Sequence, residues 1–250
     1  MRVVETVVRD RVGLLTLNDT ARRNAMSLAM STELVAALDE LEASREVGAV
    51  VITGTPPAFC AGADLSQLLE ADESSLREIY RGFLTVSRSP LPSIAAVNGP
   101  AIGAGMNLAL VCDLRLAGHS ARFDSRFLHL ALHPGGGHDW MLRQLLGPQG
   151  AAALALFGEA LDGEEAARRG LAWRCVADGV LVDEALRLAA RAAAAPRELR
   201  ADLKATLRQV ASVAEHAAAV ELELGPQLRS IRSAEFTARV AALRRRIAEK

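Results

Sequence analysis

What this sequence lacks narrows its function before any motif is considered. It lacks a charge excess: 250 residues carry a formal net charge of −1. A sequence-independent grip on nucleic acid needs a basic surface, so that class is disfavoured. It lacks an apolar run of the roughly 18 residues a membrane span needs; "GAVVITG" and "LALVC" are the size of core elements. It lacks a cysteine framework. Cys60, Cys112 and Cys175 are odd in number, far apart and set among apolar neighbours. That spacing excludes a disulfide scaffold or a CxxC metal site, and argues for a reducing, cytoplasmic setting. The opening "MRVVETVVRDRVGLLTLND" alternates like a strand and carries charges throughout, unlike a signal peptide. No short-period repeat or low-complexity linker occurs.

Half of the residues are hydrophobic, enough for one large core, with or without an appendage. "VVETVVRDRVGLLTLN" predicts two strands around a turn at Asp10-Arg11, because its apolar residues recur with period two. "SLAMSTELVAALDELEAS" has helical spacing, with Leu34, Leu38 and Leu41 on one face. "GAVVITG" and "SIAAVNG" are continuous apolar runs and predict buried parallel strands. A polar helical segment follows the first of them, over about 65–88. "GAGMNLALVCD" opens on glycines and becomes helical, and "LRLAG" returns to a strand. Strands and helices alternate to about residue 180, which predicts an α/β fold with a parallel sheet. Beyond that the pattern is helical throughout. Pro196 sits at a helix start, where its missing N–H is not needed. The chain is therefore divided into a core, 1–195, and a helical region, 196–250, that packs in an oligomer or on the core.

Two segments, "AFCAGADL" (58–65) and "NGPAIGAGMNLAL" (98–110), share one design. Each follows a buried strand, turns through small residues and enters a helix. Small residues let a backbone approach a ligand closely. Helix N-termini present unpaired N–H groups at the positive end of the dipole. Two such ends aimed at one point make an oxyanion hole; either loop alone is also an ordinary α/β turn. Neither matches the P-loop or dinucleotide pattern.

Taken jointly, "AFCAGADL" followed by "SIAAVNGPAIGAGMNLALVCDLRLAG", with "RRNAMS" at 22–27 and "HPGGG" at 133–137, resembles the crotonase (enoyl-CoA hydratase/isomerase) superfamily, in order and spacing, from about residue 10 to 180. The resemblance implies a spiral core of ββα units. It implies a C-terminal helical region used in a homotrimer or dimer of trimers. It implies an acyl-CoA thioester ligand, with no cofactor beyond the coenzyme A of the substrate. By position, the oxyanion-hole N–H groups belong to Ala63 and Ala104. Arg22 or Arg23 contacts phosphate, with Asn24 and Ala25 beside them in the coenzyme pocket. Ala61, Asp64, Leu65 and Ser66 flank the adenine and pantetheine, and Gly103 joins the substrate-binding set.

The same alignment of motifs exposes a departure. Hydratases of the family use two glutamates, and the corresponding positions here are Asn107 and Phe127. Neither side chain is a general base at neutral pH. The acid that isomerases place after the later proline is replaced by Gly135. The groups left nearby are His133, whose ordinary pKa suits proton transfer, Asp139, Asn107, and Asp124 with Ser125. Each also has a bland alternative: His133 as a loop histidine, Asp139 as a first-turn residue favoured by the helix dipole. His129 is expected in the core or an interface. A zinc site from His129 and His133 is disfavoured, because Pro134 opposes helical geometry in the residue before it and no third ligand follows at metal spacing. Two functions remain: an enzyme with a non-standard acid/base, in which ordinary two-glutamate hydration is inefficient, or a non-catalytic acyl-CoA-binding or carrier protein whose water site is filled by Phe127.

Overall fold

The computed structural model describes residues 2–249. β1 (Val4–Arg9) and β2 (Val12–Leu17) form an antiparallel hairpin. Its turn residues, Asp10 and Arg11, have φ of 48° and 66°, the left-handed turn that matches strand twist. α1 (Leu28–Ala43) follows, capped by the Ser27 hydroxyl accepting from the Met30 N–H. β3 (Ala49–Gly54) is buried along its whole length. The polar stretch after it is two helices rather than one: α2 (Leu65–Leu69) and α3 (Glu73–Arg88). The first ends at its C-cap Glu70, and Asp72 caps the second through a capping box with Ser75.

The chain then repeats a pattern. β4 (Ser93–Val97) leads to a short strand, β5 (Pro100–Ile102), and to helix α4 (Ala104–Val111). β6 (Leu114–Gly118) leads to β7 (Arg122–Asp124) and to helix α5 (His138–Ala155). β8 (Ala160–Asp162), α6 (Gly163–Arg168), β9 (Arg174–Val176) and α7 (Leu181–Ala193) complete it. The long strands form one sheet in the order β1-β2-β3-β4-β6-β9, and β5-β7-β8 form a second. Every pairing in the first sheet after β1–β2 is parallel. This is an α/β fold of successive strand–strand–helix turns.

One face of the first sheet packs, through Leu15, Val50, Ile52 and Ala95, into a core that includes Leu34 and Leu38 of α1 and Phe83 of α3. Its other face packs Val12, Val51, Ile94 and Leu116 against Leu181, Ala185, Ala189 and Ala193. Those four residues recur every fourth position along α7, one helical stripe.

Two compact units result, the first ending at Ala193 and the second beginning at Ala194. The second unit contains α8 (Arg197–Val210), α9 (His216–Ile231) and α10 (Ala234–Ala248). Pro196 is the N-cap of α8, and Arg229 of α9 pairs with Asp202 of α8 at 3.0 Å.

Candidate active site

The site begins where two turns are stitched together. The Cys60 N–H donates to the Pro100 carbonyl at 3.1 Å, and the Ile102 N–H donates back to the Cys60 carbonyl at 3.0 Å. On its other side the 60–64 loop bonds to Met26, which donates to Gly62 O at 2.7 Å and accepts from Asp64 N at 3.2 Å. Helix α4 then presses onto this loop at Gly105. A Cβ there would lie 2.1 Å from the Cys60 carbonyl oxygen, so only glycine permits the approach. Cys60 is fully buried, and burial pushes its thiol pKa up to about 12; it is an inert packing residue.

This contact brings the start of α4 and the 61–63 loop onto one wall of a cavity of about 820 Å³. Ala104 is the first residue of α4, whose N-cap Gly103 offers no side chain. Among the described residues the N–H groups of Ala63 and Ala104 have no acceptor. Both residues line the cavity. The remaining wall is largely apolar: Ala61, Leu65, Leu68, Ile79, Ile102, Phe127 and Leu130. Polar groups come from Asn107, Ser125, Tyr80, His133, Arg23, Arg122 and Arg126. Among the described residues no aspartate or glutamate lines it.

Behind that wall lies a buried chain of hydrogen bonds. Asn107 Nδ2 donates to the Gly135 carbonyl at 3.0 Å. That fixes Asn107 Oδ1 toward His138, which donates Nδ1–H to it at 2.7 Å. His138 Nε2 is 2.7 Å from Ser125 Oγ. Burial lowers the His138 pKa to about 4, with the neighbouring Asp139 charge opposing weakly. The imidazole is therefore neutral at pH 7, Nε2 is an acceptor, and the Ser125 hydroxyl donates to it. The ring of Phe127 packs edge-on to His138, with centroids 4.9 Å apart. The glycine run holds this loop against α3: a Cβ on Gly135 would meet the Tyr80 hydroxyl at 2.2 Å, and one on Gly136 would meet the Phe83 ring at 2.5 Å.

The His138 environment gives a first prediction. In the unfolded chain this imidazole takes up its proton near pH 6.5, but in the folded chain only near pH 4. Between those values the unfolded state binds more protons. Stability is then fully present above about pH 6.5 and lost as pH falls towards 4, by on the order of 3 kcal/mol. The drop in urea midpoint between pH 7 and pH 4.5 is expected to shrink in His138→Gln. An unchanged drop would show that His138 does not couple to folding.

The positions singled out in the sequence fall in two groups. Ala61, Ala63, Leu65, Gly103, Ala104, Asn107, Ser125, Phe127, His133 and Arg23 line the cavity. The others do not. Arg22 is tied to Asp19 at 3.0 Å and to Asp64 at 3.3 Å, so of this pair Arg23 is the one at the wall. Asn24 is fully buried; its amide donates to the Thr55 and Ala58 carbonyls and accepts from Asp19 N. It braces the loop instead of facing a ligand, and Ala25 is buried beside it. Asp64 caps α2 by accepting from Ser66 N and Gln67 N, and the Ser66 hydroxyl donates to it. Asp139 is exposed in the first turn of α5. One residue along a helix turns about 100°, so burying His138 sends Asp139 outward. Asp124 is buried and paired with Arg126 at 2.5 Å. His129 is exposed within the chain rather than in its core. Ala131, at φ 50°, breaks any helical face shared by His129 and His133.

Sequence reasoning missed His138 as a site residue. Its signal was periodicity: Met141 and Leu142, three and four positions on, are buried on the same face of α5.

Sequence and fold both match one class. A family model described as enoyl-CoA hydratase/isomerase covers residues 8–243, and the chain belongs to that family. Among its relatives, "Probable enoyl-CoA hydratase EchA14" of Mycobacterium tuberculosis is 50% identical over 248 residues, 96% of each chain. The "2,3-dehydroadipyl-CoA hydratase" of Escherichia coli is 37% identical over 209 residues, 82% of each. A crystal structure of an enoyl-CoA hydratase subunit from Geobacillus kaustophilus superposes with a TM-score of 0.91 at 29% identity, over 98% of this chain and 95% of that one. No described helix is long and apolar enough to cross a membrane.

Proposed function

We propose that this protein is an enzyme acting on an acyl-CoA thioester, with the thioester carbonyl held between the Ala63 and Ala104 N–H groups. The observation that carries this is the pair of acceptor-free N–H groups on the wall of an apolar cavity. Negative charge developing on the carbonyl oxygen is stabilised there without reorganisation of the protein. The acyl chain takes the apolar wall of Leu65, Ile79, Ile102, Phe127 and Leu130. Coenzyme A enters as part of the substrate, and its phosphates meet Arg23. The site has Asn107 and Phe127 where the family's hydratases carry glutamates, and among the described residues no carboxylate on its wall supplies a base in their place. Two-glutamate hydration is therefore not its efficient reaction. His133 Nδ1 lies 2.7 Å from the Pro134 carbonyl and donates to it, which leaves Nε2 as its proton-exchanging atom beside the ligand.

The same lack of carboxylates favours a second reading, a non-catalytic acyl-CoA carrier. Calorimetry with octanoyl-CoA, paired with a turnover assay on the same sample, separates the two. Micromolar binding with turnover supports the enzyme, and binding without turnover of any thioester supports the carrier. Absence of binding contradicts both. In the binding assay Arg23→Ala is expected to weaken octanoyl-CoA about 5–10-fold, the loss of one exposed charge-assisted contact worth about 1 kcal/mol. An unchanged Kd would remove Arg23 from the coenzyme site.

We further propose a homotrimer or dimer of trimers in the cytoplasm. The exposed apolar side chains Trp140, Leu156 and Phe157 in the first unit, and Leu224, Ile231, Phe236 and Leu243 in the second, support this reading. The three free cysteines suit a reducing compartment.

A further inference from the structure

The chain Ser125–His138–Asn107 has no part in the oxyanion-hole scheme, yet its three members are 2%, 1% and 2% exposed. Each polar atom in it has a directed partner. Asn107 orients His138 through Nδ1–H, and the neutral Nε2 accepts from the Ser125 hydroxyl. This is the order of roles in an activated nucleophile: a hydroxyl, a base within hydrogen-bond reach, and a third group that fixes the tautomer of the base. Ser125 is also registered to the oxyanion donors. The carbonyl of the residue before it, Asp124, accepts the Gly103 N–H at 2.9 Å, and Gly103 directly precedes Ala104. Ser125, Ala63 and Ala104 all line the one cavity. A thioester whose oxygen lies between the two N–H groups shares that cavity with the Ser125 hydroxyl.

We propose that Ser125, His138 and Asn107 form a nucleophilic relay that hydrolyses an acyl-CoA thioester through an acyl-serine. The inference rests on the acyl-CoA reading of the cavity. Ser125 Oγ bonds to the carbonyl carbon as its proton passes to His138 Nε2. The C–S bond breaks with its electron pair on sulfur, and the proton on His138 goes to that sulfur, releasing coenzyme A as a thiol. Water then attacks the serine ester and gives its proton to His138. The C–O bond breaks, and Ser125 regains its proton. The products are a carboxylic acid and a thiol, with no change in oxidation state. An orienting asparagine adds no negative charge to support the imidazolium, and burial opposes that charge, so the reaction is slow beside triads with a carboxylate. The substrate class is an acyl-CoA thioester, and a saturated one suffices because no step needs a double bond.

The test uses the full chain and octanoyl-CoA. Coenzyme A release is followed by chromatography, and binding by calorimetry on the same preparations. Wild type is expected to release coenzyme A above background. Ser125→Ala and His138→Gln are each expected to release it at least ~100-fold more slowly, with the Kd of Ser125→Ala within twofold of wild type. Intact mass spectrometry of the quenched wild-type reaction, which depends on no variant folding, is expected to show one octanoyl group that maps to Ser125. Release by Ser125→Ala at the wild-type rate would overturn the relay, as would binding without release by wild type. No binding at all would overturn the acyl-CoA reading along with it.

Discussion

Gly105→Ala is expected to cut thioester turnover by about 10²–10³-fold while leaving the chain folded. The glycine is the contact that lets α4 meet the 60–63 loop. An added Cβ would lie 2.1 Å from the Cys60 carbonyl oxygen and 2.7 Å from its carbon. Both are backbone atoms, so no side-chain rotation relieves the clash. The start of α4 must retreat, and the Ala104 N–H retreats with it while Ala63 stays bonded into the Met26 bridge. Loss of one oxyanion donor costs about 3–4 kcal/mol of transition-state stabilisation, which is the stated fold-change. The loss should fall on kcat more than on KM, because the apolar wall and Arg23 still hold the substrate. Gly179→Ala is the control: a Cβ there meets nothing within 4 Å. An unchanged kcat in Gly105→Ala would mean that the two N–H groups do not act together.

The second large effect is a deficit. Crotonyl-CoA hydration by the wild type, followed as loss of enoyl absorbance, is expected to run at least ~100-fold below a family member that keeps both glutamates. Positioned acid–base groups contribute about 10²–10⁴ each, and the wall of this cavity has no carboxylate among the described residues. Asn107 is committed on both sides, to Gly135 and to His138, so it neither takes a proton from water nor swings to hold one. Phe127 lies against His138 and close to the Gly103 backbone and occupies the volume with an apolar ring. A hydration rate within tenfold of such a relative would show that another group supplies the base.

Much of this was legible in the sequence. Long, period-two or wholly apolar runs gave β1 to β4 and β6, and the glycine loops gave the two strand-to-helix turns. Three-residue strands such as β5, β7 and β8 carry no periodicity of their own; they exist because the neighbouring turn pairs with them. The helical run after residue 180 is continuous in pattern, and its first helix, α7, lies inside the core range 1–195, where its apolar stripe covers the sheet. The family resemblance pointed to the backbone donors Ala63 and Ala104 as the oxyanion pair to propose, since a backbone role depends on chain path alone. It did less well with side chains. Arg22, Asn24, Asp64 and Ser66 lie in the right loops, but local ion pairs and caps consume them. His138 was passed over because its neighbour Asp139 has the more familiar chemistry, and only three-dimensional packing shows which of the two faces inward. The relay joins β7, α4 and α5, and no single stretch of sequence contains it.

In the proposed site a thioester carbonyl lies between the Ala63 and Ala104 N–H groups. Infrared difference spectroscopy of octanoyl-CoA carrying ¹³C at the carbonyl tests it directly, because hydrogen bonds to that oxygen weaken the C=O bond. The carbonyl stretch is expected to move to lower frequency on binding to the wild type, and to return towards its free value in Gly105→Ala. A bound carbonyl at its free-solution frequency in the wild type would contradict that placement.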